Sequence, residues 1–360
     1  MQKAYLILEN GTIYEGKSFG ASGEAVGEIV FTTSMTGYVE TLTDPSYYGQ
    51  IVVQTFPLIG NYGVMSEDFQ SSRPQVKAYI VREWCQEPSN FRCEGDLDTF
   101  LKENNIVGLY GIDTRHLTKV VREYGVMNGK IVAEGSGFSF DELKNYMIVD
   151  AVKNTTCAEE RVLKPKGEVK RRIVLYDFGT KISIANQLLQ RGCEVTVVPA
   201  YTPAERVLEL APDGIMLSNG PGDPAENVEI IEELKKLIGK NIPTFAICLG
   251  HQLYALAHGA RTEKLKYGHR GANQPVTDLE TGRVYITSQN HGYAVVNESL
   301  PANAKVSFKN TNDGTCEGVR YLDEPAFSVQ FHPEACGGPK DPGFLFDRFV
   351  AMIDDSMRKE

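Results

Sequence analysis

The second half of the chain alternates apolar runs with amphipathic stretches. Buried strands are predicted at 173–178, 194–199, 214–218 and 242–247. Helices are predicted between them at 182–191, 226–240 and 250–258, and a last helix from Asp341. Because strands that alternate with helices form parallel sheets covered on both faces, this half predicts an α/β fold with a mostly parallel sheet and flanking helices. Turn signals at 281–282 and 312–314 predict added antiparallel strands.

The first half of the chain has a different pattern of apolar and polar residues. Short strands broken by glycine fill residues 1 to 152, which predicts a smaller β-rich α+β domain. One helix is predicted at 113–123, since Asp113 can cap its start and Gly125 can end it. The segment 153–171 is polar and charged and is typical of an interdomain linker. The predicted domains are therefore 1–152 and 172–360.

Two local motifs need their structural context. Residues 11–18, Gly-Thr-Ile-Tyr-Glu-Gly-Lys-Ser, match the phosphate-binding loop pattern letter for letter. Such a loop must open a helix, but the following Phe-Gly-Ala-Ser-Gly cannot start one. Asn10-Gly11 instead predicts a hairpin turn that pairs 13–15 with 5–9, so no ATP site is predicted. Thr202, Pro203 and Glu205 match a capping box, with proline in the first helical turn.

Composition narrows the classes of function. The formal net charge of -10 opposes binding to nucleic acid phosphates or to anionic membranes. No apolar stretch approaches a membrane span or the core of a secretion signal, which favours a cytoplasmic protein. The cysteines contain no C-x-x-C pair, so neither a disulfide framework nor a zinc site is predicted, and most thiols are expected to be free and buried. No redox role is expected for Cys336, since it has no pairing motif.

Cys248 is the candidate nucleophile. It follows the predicted strand 242–247 and precedes the helix that begins near Gly250, which describes a nucleophile elbow. The positive end of that helix favours the thiolate form of the cysteine. An oxyanion on an attacked carbonyl needs two donors, for which the backbone amides of Leu249 and Gly220 are the candidates. Gly220 lies in the loop Asn-Gly-Pro-Gly-Asp-Pro at 219–224.

His332 is the candidate acid and base, and Glu334 can brace its imidazole. An apolar strand ending in Phe331 delivers the histidine, and Glu334 follows two residues later. A lone cysteine or histidine is usually structural. Strand ends of an open α/β sheet meet at one edge, however, and the Gly220 loop, Cys248 and His332 all fall there. Together they predict a nucleophile, histidine and carboxylate triad.

Three of these segments resemble class I glutamine amidotransferases. They are Cys-Leu-Gly-His-Gln at 248–252, Asn-Gly-Pro-Gly-Asp-Pro at 219–224 and Phe-His-Pro-Glu at 331–334. Segments 10–16, 36–47, 59–63, 111–115 and 268–275 further resemble the small subunits of carbamoyl-phosphate synthetases. The resemblance is nearly full length, and the first-half motifs are specific because other amidotransferases of the class lack that domain.

The resemblance implies an activity and a substrate site. Glutamine is attacked at its side-chain amide, a thioester forms on Cys248 and ammonia leaves. By the same resemblance, the glutamine-binding residues are Ser46, Gly220, Gly222, Leu249, Gln252, Asn290, Gly292 and Tyr293. The family implies no cofactor in this chain, since ATP and Mg2+ are bound by a large synthetase subunit, which receives the ammonia for arginine or pyrimidine biosynthesis. Alternatives are a stand-alone glutaminase, an amidotransferase of another synthase, or an inactive regulatory scaffold.

Two positions depart from the family pattern. Ala246 stands where glycine is usual two residues before the nucleophile, and Tyr293 stands where phenylalanine is frequent. The extra methyl of Ala246 lies under a tight turn and puts activity in doubt rather than family membership. His251, His258, His269 and His291 are interpreted as structural.

Overall fold

Two compact units divide the chain, Met1–Ala151 and Val152–Glu360. The computed structural model describes residues 2–335 and 337–358, so Cys336 lies outside the described residues. The first unit contains β1 (Lys3–Leu8), β2 (Ile13–Gly20), β3 (Ala25–Thr32), α1 (Tyr38–Thr43), β4 (Gln50–Gln54), β5 (Leu58–Ile59), β6 (Ala78–Val81), β7 (Glu83–Trp84), α2 (Leu97–Glu103), β8 (Val107–Tyr110), α3 (Thr114–Tyr124), β9 (Met127–Ala133) and α4 (Phe140–Asn145).

The sheet of the first unit closes into a barrel in the order β1-β2-β8-β6-β4-β3-β9. β1 and β2 form the predicted hairpin, with Ile7 opposite Ile13, and Gly11 adopts φ 86° at its turn. Ser18 lies inside β2, so the phosphate-loop match does not open a helix. The predicted helix is α3, where the Asp113 carboxylate accepts a hydrogen bond from the His116 amide. The β-rich prediction is confirmed, while barrel closure was not predicted.

The second unit holds the α/β sheet. Its elements are α5 (Ala151–Thr155), which begins at the boundary, β10 (Arg161–Leu163), β11 (Arg171–Asp177), α6 (Ile182–Gln190), β12 (Cys193–Pro199), α7 (Ala204–Glu209), β13 (Gly214–Leu217), α8 (Val228–Leu237), β14 (Thr244–Ile247), α9 (Leu249–Ala257), β15 (Thr262–Asp278), β16 (Val284–Val295), β17 (Ala304–Asn310), β18 (Cys316–Tyr321), β19 (Ala326–Val329) and α10 (Phe344–Met357). The strand order is β10-β12-β11-β13-β14-β19-β18-β17-β15-β16.

Five central strands of this sheet, β12-β11-β13-β14-β19, run parallel. Antiparallel strands extend both edges: β10 on one side, and β18, β17, β15 and β16 on the other. Alternate residues of β11 enter two different cores, since Val174 and Tyr176 pack on one face and Ile173 and Leu175 on the other. Both faces of the parallel region are therefore buried, which is the predicted α/β architecture.

Two local expectations differ from the structure. Part of the predicted linker is ordered, because β10 pairs with β12 at the sheet edge. The capping box does not form: Pro203 is the N-cap of α7 and makes no side-chain cap bond. The amide of Ala204 instead donates to the carboxylate of Glu233 on α8, at 2.9 Å. Glu233 on the neighbouring helix α8 thus accepts from a backbone amide at the start of α7, which the capping box was expected to cap locally.

Thiols and helix lengths complete the description. Six cysteines are described and all are free, but only Cys193, Cys248 and Cys316 are fully buried, fewer than expected. None of the described helices combines the length and apolar character that crossing a lipid bilayer requires.

Candidate active site

Cys248 lies on the turn between β14 and α9, and its side chain is 2 % exposed. Its φ of 54° and ψ of -107° are rarely adopted by a residue with a side chain. The amide of Cys248 donates to the carbonyl of Val329 on β19, and the amide of Gly250 donates to the carbonyl of Ser218 beyond β13. The two bonds tie the turn to both neighbouring strands. Backbone strain of this kind persists where the surroundings impose it, and it clusters at functional sites.

His332 and Glu334 form the neighbouring pair. Nδ1 of His332 lies 2.8 Å from Oε1 of Glu334, and the two side chains are 2 % and 0 % exposed. Because a carboxylate only accepts, Nδ1 carries the proton, which leaves Nε2 for the chemistry. Nε2 has no hydrogen-bond partner among the described residues, while the Cys248 thiol is close enough to affect the imidazole pKa.

Lys181 is a member of the site that the sequence did not reveal. It precedes α6, and its Nζ lies 2.6 Å from Oε1 of Glu334 with only 10 % of its side chain exposed. The Lys181 amide donates to Oδ1 of Asn219 at 3.0 Å, which links this residue to the glycine-rich loop. The Glu334 carboxylate therefore contacts both the Lys181 ammonium and the His332 imidazole.

These two contacts determine the pKa values of Glu334 and His332. Burial alone would raise the pKa of Glu334, but Lys181 and His332 outweigh it and lower that pKa to about 2. Burial and Lys181 would lower the pKa of His332, but Glu334 and Cys248 raise it to about 9. At neutral pH the carboxylate is therefore ionised and the imidazole is protonated. A protonated imidazole beside a thiol stabilises the thiolate form.

Gly220 and Leu249, the two candidate oxyanion donors, lie side by side. A Cβ on Gly220 would stand 2.8 Å from a side-chain carbon of Leu249 and 2.2 Å from the carbonyl oxygen of Phe178. Only glycine fits at 220 for this reason. Gly222 has φ 90° and continues the same loop toward a short turn at Pro224–Glu226.

The candidate glutamine-binding residues of β16 line the same region. The thiol of Cys248 lies 3.7 Å from the carbonyl oxygen of Asn290. Nε2 of Gln252 on α9 donates to the carbonyl of Tyr293 at 2.7 Å and to Oε1 of Gln330 at 2.9 Å. Gly292 lies between Asn290 and Tyr293 on the strand. The structure thus brings the predicted residues of α9 and β16 next to the nucleophile.

Ser46 belongs to the first unit. It lies on a 3-10 turn, Pro45–Tyr47, and its amide donates to Oδ1 of Asp44 at 2.9 Å. Its role as a substrate ligand stays a prediction.

The remaining histidines have internal partners. His251 is fully buried and lies 2.7 Å from Oγ of Ser328, and burial lowers its pKa to about 3. His258 contacts Glu324 at 3.0 Å.

Ala246 is buried in β14 opposite Leu217 and Ser328, so its methyl group is accommodated within the sheet.

Comparison with known proteins bears on both units. A family model described as "Carbamoyl-phosphate synthase small chain, CPSase domain" matches residues 6–131, and one described as "Glutamine amidotransferase class-I" matches residues 174–352. The carbamoyl phosphate synthase small chain of Clostridium perfringens is 53% identical over 350 residues, which are 97% of this chain and 99% of that protein. The small chain of Bacillus cereus is 52% identical over 356 residues, covering 98% and 96%.

Among solved structures, a putative GMP synthase protein from Thermoplasma acidophilum aligns with a TM-score of 0.47 and 22% identity, over 53% of this chain and 98% of that one. The family assignment comes from the sequence relatives, which are similar over almost the entire length of both chains. This chain belongs to the carbamoyl-phosphate synthase small chain family and carries its class I glutamine amidotransferase domain.

Proposed function

We propose that this glutamine-hydrolysing chain uses Cys248 as its nucleophile. The thiolate attacks the side-chain amide carbon of glutamine, and the carbonyl oxygen becomes an oxyanion. The imidazolium of His332 donates its proton to the departing nitrogen, so that ammonia leaves and a glutamyl thioester remains. The neutral imidazole then takes a proton from water, the resulting hydroxide attacks the thioester, and glutamate is released with the thiolate restored.

Glu334 and Lys181 act on His332 rather than on glutamine. The carboxylate holds Nδ1 at 2.8 Å, which fixes the tautomer and stabilises the charged ring. Lys181 contacts the same carboxylate oxygen, Oε1, and keeps the carboxylate ionised. The backbone amides of Gly220 and Leu249 receive the oxyanion, and removal of one such donor typically costs about 100- to 1000-fold in kcat.

The substrate contacts follow the same geometry. In this proposal Gln252, Asn290, Gly292 and Tyr293 contact the glutamine, and Gly222 shapes the loop that faces it. Ser46 is a candidate ligand from the family resemblance alone. The observation that carries this proposal is the strained Cys248 turn, which lies beside a buried histidine and carboxylate pair.

Glutamate release tests the mechanism directly. Purified wild-type chain should release glutamate from glutamine, and Cys248→Ser should fall to background. Cys316→Ser is the matched control, because Cys316 is also a buried free thiol but lies on β18, away from the Cys248 elbow. Full activity in Cys248→Ser, or equal loss in both variants, contradicts the proposal.

We further propose that ammonia passes to a large synthetase subunit, which binds ATP and Mg2+ and makes carbamoyl phosphate for arginine or pyrimidine biosynthesis. The named relatives are small chains, which supports a larger companion. When the tagged chain is expressed in its native host, a large ATP-dependent chain should co-purify with it, and glutamate release should increase. Recovery of the chain alone, with unchanged activity, favours a stand-alone glutaminase.

A further inference from the structure

A second polar cluster lies between the β15–β16 and β17–β18 hairpins. It consists of His269, His291 and Glu317, which are 9%, 5% and 0% exposed. One ligand atom from each lies within 4.8 Å of the others, and the two imidazole rings stand 5.0 Å apart at 84°. The mechanism above uses none of these side chains.

Hydrogen bonds fix the orientation of both rings. Nε2 of His269 lies 2.7 Å from Oδ2 of Asp313, and Nδ1 of His291 lies 2.8 Å from the carbonyl oxygen of Tyr293. Both partners only accept, so each of these nitrogens carries a proton. Burial lowers the pKa of His291 well below its usual range, so Nε2 of this ring presents a lone pair. Burial alone would also lower the pKa of His269, but Glu317 and Asp313 raise it, and a metal ion between these groups would take the place of the proton on Nδ1.

Each of these inward-facing nitrogens lies opposite an oxygen that accepts hydrogen bonds. Nδ1 of His269 faces Oε1 of Glu317 at 3.5 Å, and Nε2 of His291 faces Oε1 of Gln289 at 3.1 Å. The amide of Gln289 is held in this orientation, because its Nε2 donates to Oγ1 of Thr287, whose own proton goes to a backbone carbonyl. A cation between the acceptors would satisfy both contacts.

Unpartnered atoms mark the same place. Nδ1 of His269 and Oε2 of Glu317 make no hydrogen bond to any described residue, although both are buried. Asn310 donates to the other oxygen of Glu317 at 3.2 Å. A proton on Nδ1 of His269 would satisfy its contact with Oε1 of Glu317, but Oε2 would still lack a donor and Nε2 of His291 would still face an acceptor. A single divalent ion would satisfy Nδ1 of His269, Nε2 of His291 and the Glu317 carboxylate together.

We propose that His269, His291 and Glu317 bind a Zn2+ ion. Two imidazole nitrogens and one carboxylate oxygen are a common zinc ligand set, and Oε1 of Gln289 is placed to be the fourth ligand. Asp313 and the Tyr293 carbonyl then orient the two ligating rings, as outer partners do at zinc sites.

The geometry requires a modest adjustment. Zinc bonds of roughly 2.0 to 2.2 Å place ligand atoms about 3.3 Å apart in a tetrahedron, so the side chains must close inward by about 1 Å. The cysteine spacing considered in the sequence gave no hint of this site because no cysteine belongs to it. Its ligands come from three strands and meet only in the fold.

The ion would fix the strand that carries glutamine-binding residues. His291 lies between Asn290 and Gly292 on β16, while Glu317 belongs to β18. Zinc would therefore hold the segment around Asn290 against the second hairpin. This consequence rests on the proposed function, but metal binding itself does not depend on it.

Zinc counting on the full chain tests the proposal without an activity assay. Chelator-treated protein is incubated with Zn2+, desalted and analysed by mass spectrometry for metal, and about one ion per chain is expected. Zinc at a hundredfold excess over its Kd should raise Tm by about 5 to 10 °C. Retention of no zinc, without a Tm change, overturns the proposal.

Three variants locate the ion. Glu317→Gln should weaken zinc binding by more than about 100-fold, and Asp313→Asn, which removes an orienting group, by about 10- to 100-fold. Glu324→Gln is the matched control, since Glu324 also contacts a buried histidine, His258, at 3.0 Å, and it should bind zinc normally. Wild-type binding by Glu317→Gln overturns the assignment, and Asp313→Asn provides the decisive measurement if Glu317→Gln fails to fold.

Discussion

The Lys181→Met substitution tests the buried ion pair between Lys181 and Glu334 in the active site. Nζ of Lys181 lies 2.6 Å from Oε1 of Glu334, and the carboxylate side chain is fully buried. Methionine keeps the length and apolar stem of lysine but removes its charge. The variant therefore leaves the buried Glu334 carboxylate without its ammonium partner.

The expected cost is large for a single substitution. Breaking a buried ion pair by removing one partner costs about 3 to 5 kcal/mol, which corresponds to a fall in Tm of about 6 to 20 °C in a protein unit of this size. Lys235→Met is the matched control, since Lys235 lies 2.7 Å from Glu232 on the exposed face of α8. An exposed helical pair of this kind contributes only about 0.3 to 0.5 kcal/mol.

Urea unfolding of both variants at pH 7 measures the difference. The double variant Lys181→Met/Glu334→Gln should recover much of the lost stability, because it removes the uncompensated carboxylate as well. The reasoning is refuted if Lys181→Met loses no more stability than Lys235→Met, or if the second substitution adds to the loss.

Two further predictions use the same site. His332 has a pKa raised from its ordinary 6.5 to about 9, so its contribution to stability should be complete below pH 6.5 and disappear as the pH rises through 9. Unfolding curves across this range should show that loss for wild type but not for His332→Asn, and equal slopes in both contradict it. Gly220→Ala places a Cβ 2.2 Å from the Phe178 carbonyl oxygen, so kcat should fall at least about 100-fold. Gly167→Ala, with open space around its Cβ, should leave kcat unchanged, and similar kinetics for both variants would exclude the steric reasoning.

Local patterns predicted the parts of the site that lie on one element. The apolar strand before Cys248 and the glycine after it specify the elbow, because both signals fall within a few residues. His332 and Glu334 are two residues apart, so their contact required no knowledge of the fold. The Asn10-Gly11 hairpin was predictable for the same reason.

Features that depend on distant partners were not predictable in this way. Lys181 meets Glu334 only because the ends of β11 and β19 lie at the same edge of the sheet. The residues of β10 are largely exposed, so this edge strand has no apolar run that would identify it. Barrel closure depends on the pairing of β1 with β9, where Ala4 lies opposite Ala133.

Covalent labelling tests the central claim most directly. Burial raises the pKa of Cys157 and Cys193 to about 11 and that of Cys316 to about 12, so these thiols stay protonated at neutral pH. A glutamine-like diazoketone binds where glutamine binds, so it should modify Cys248 stoichiometrically, abolish glutamate release and be blocked by excess glutamine. Modification of another cysteine with the loss of activity, or full activity after complete labelling of Cys248, would contradict the account.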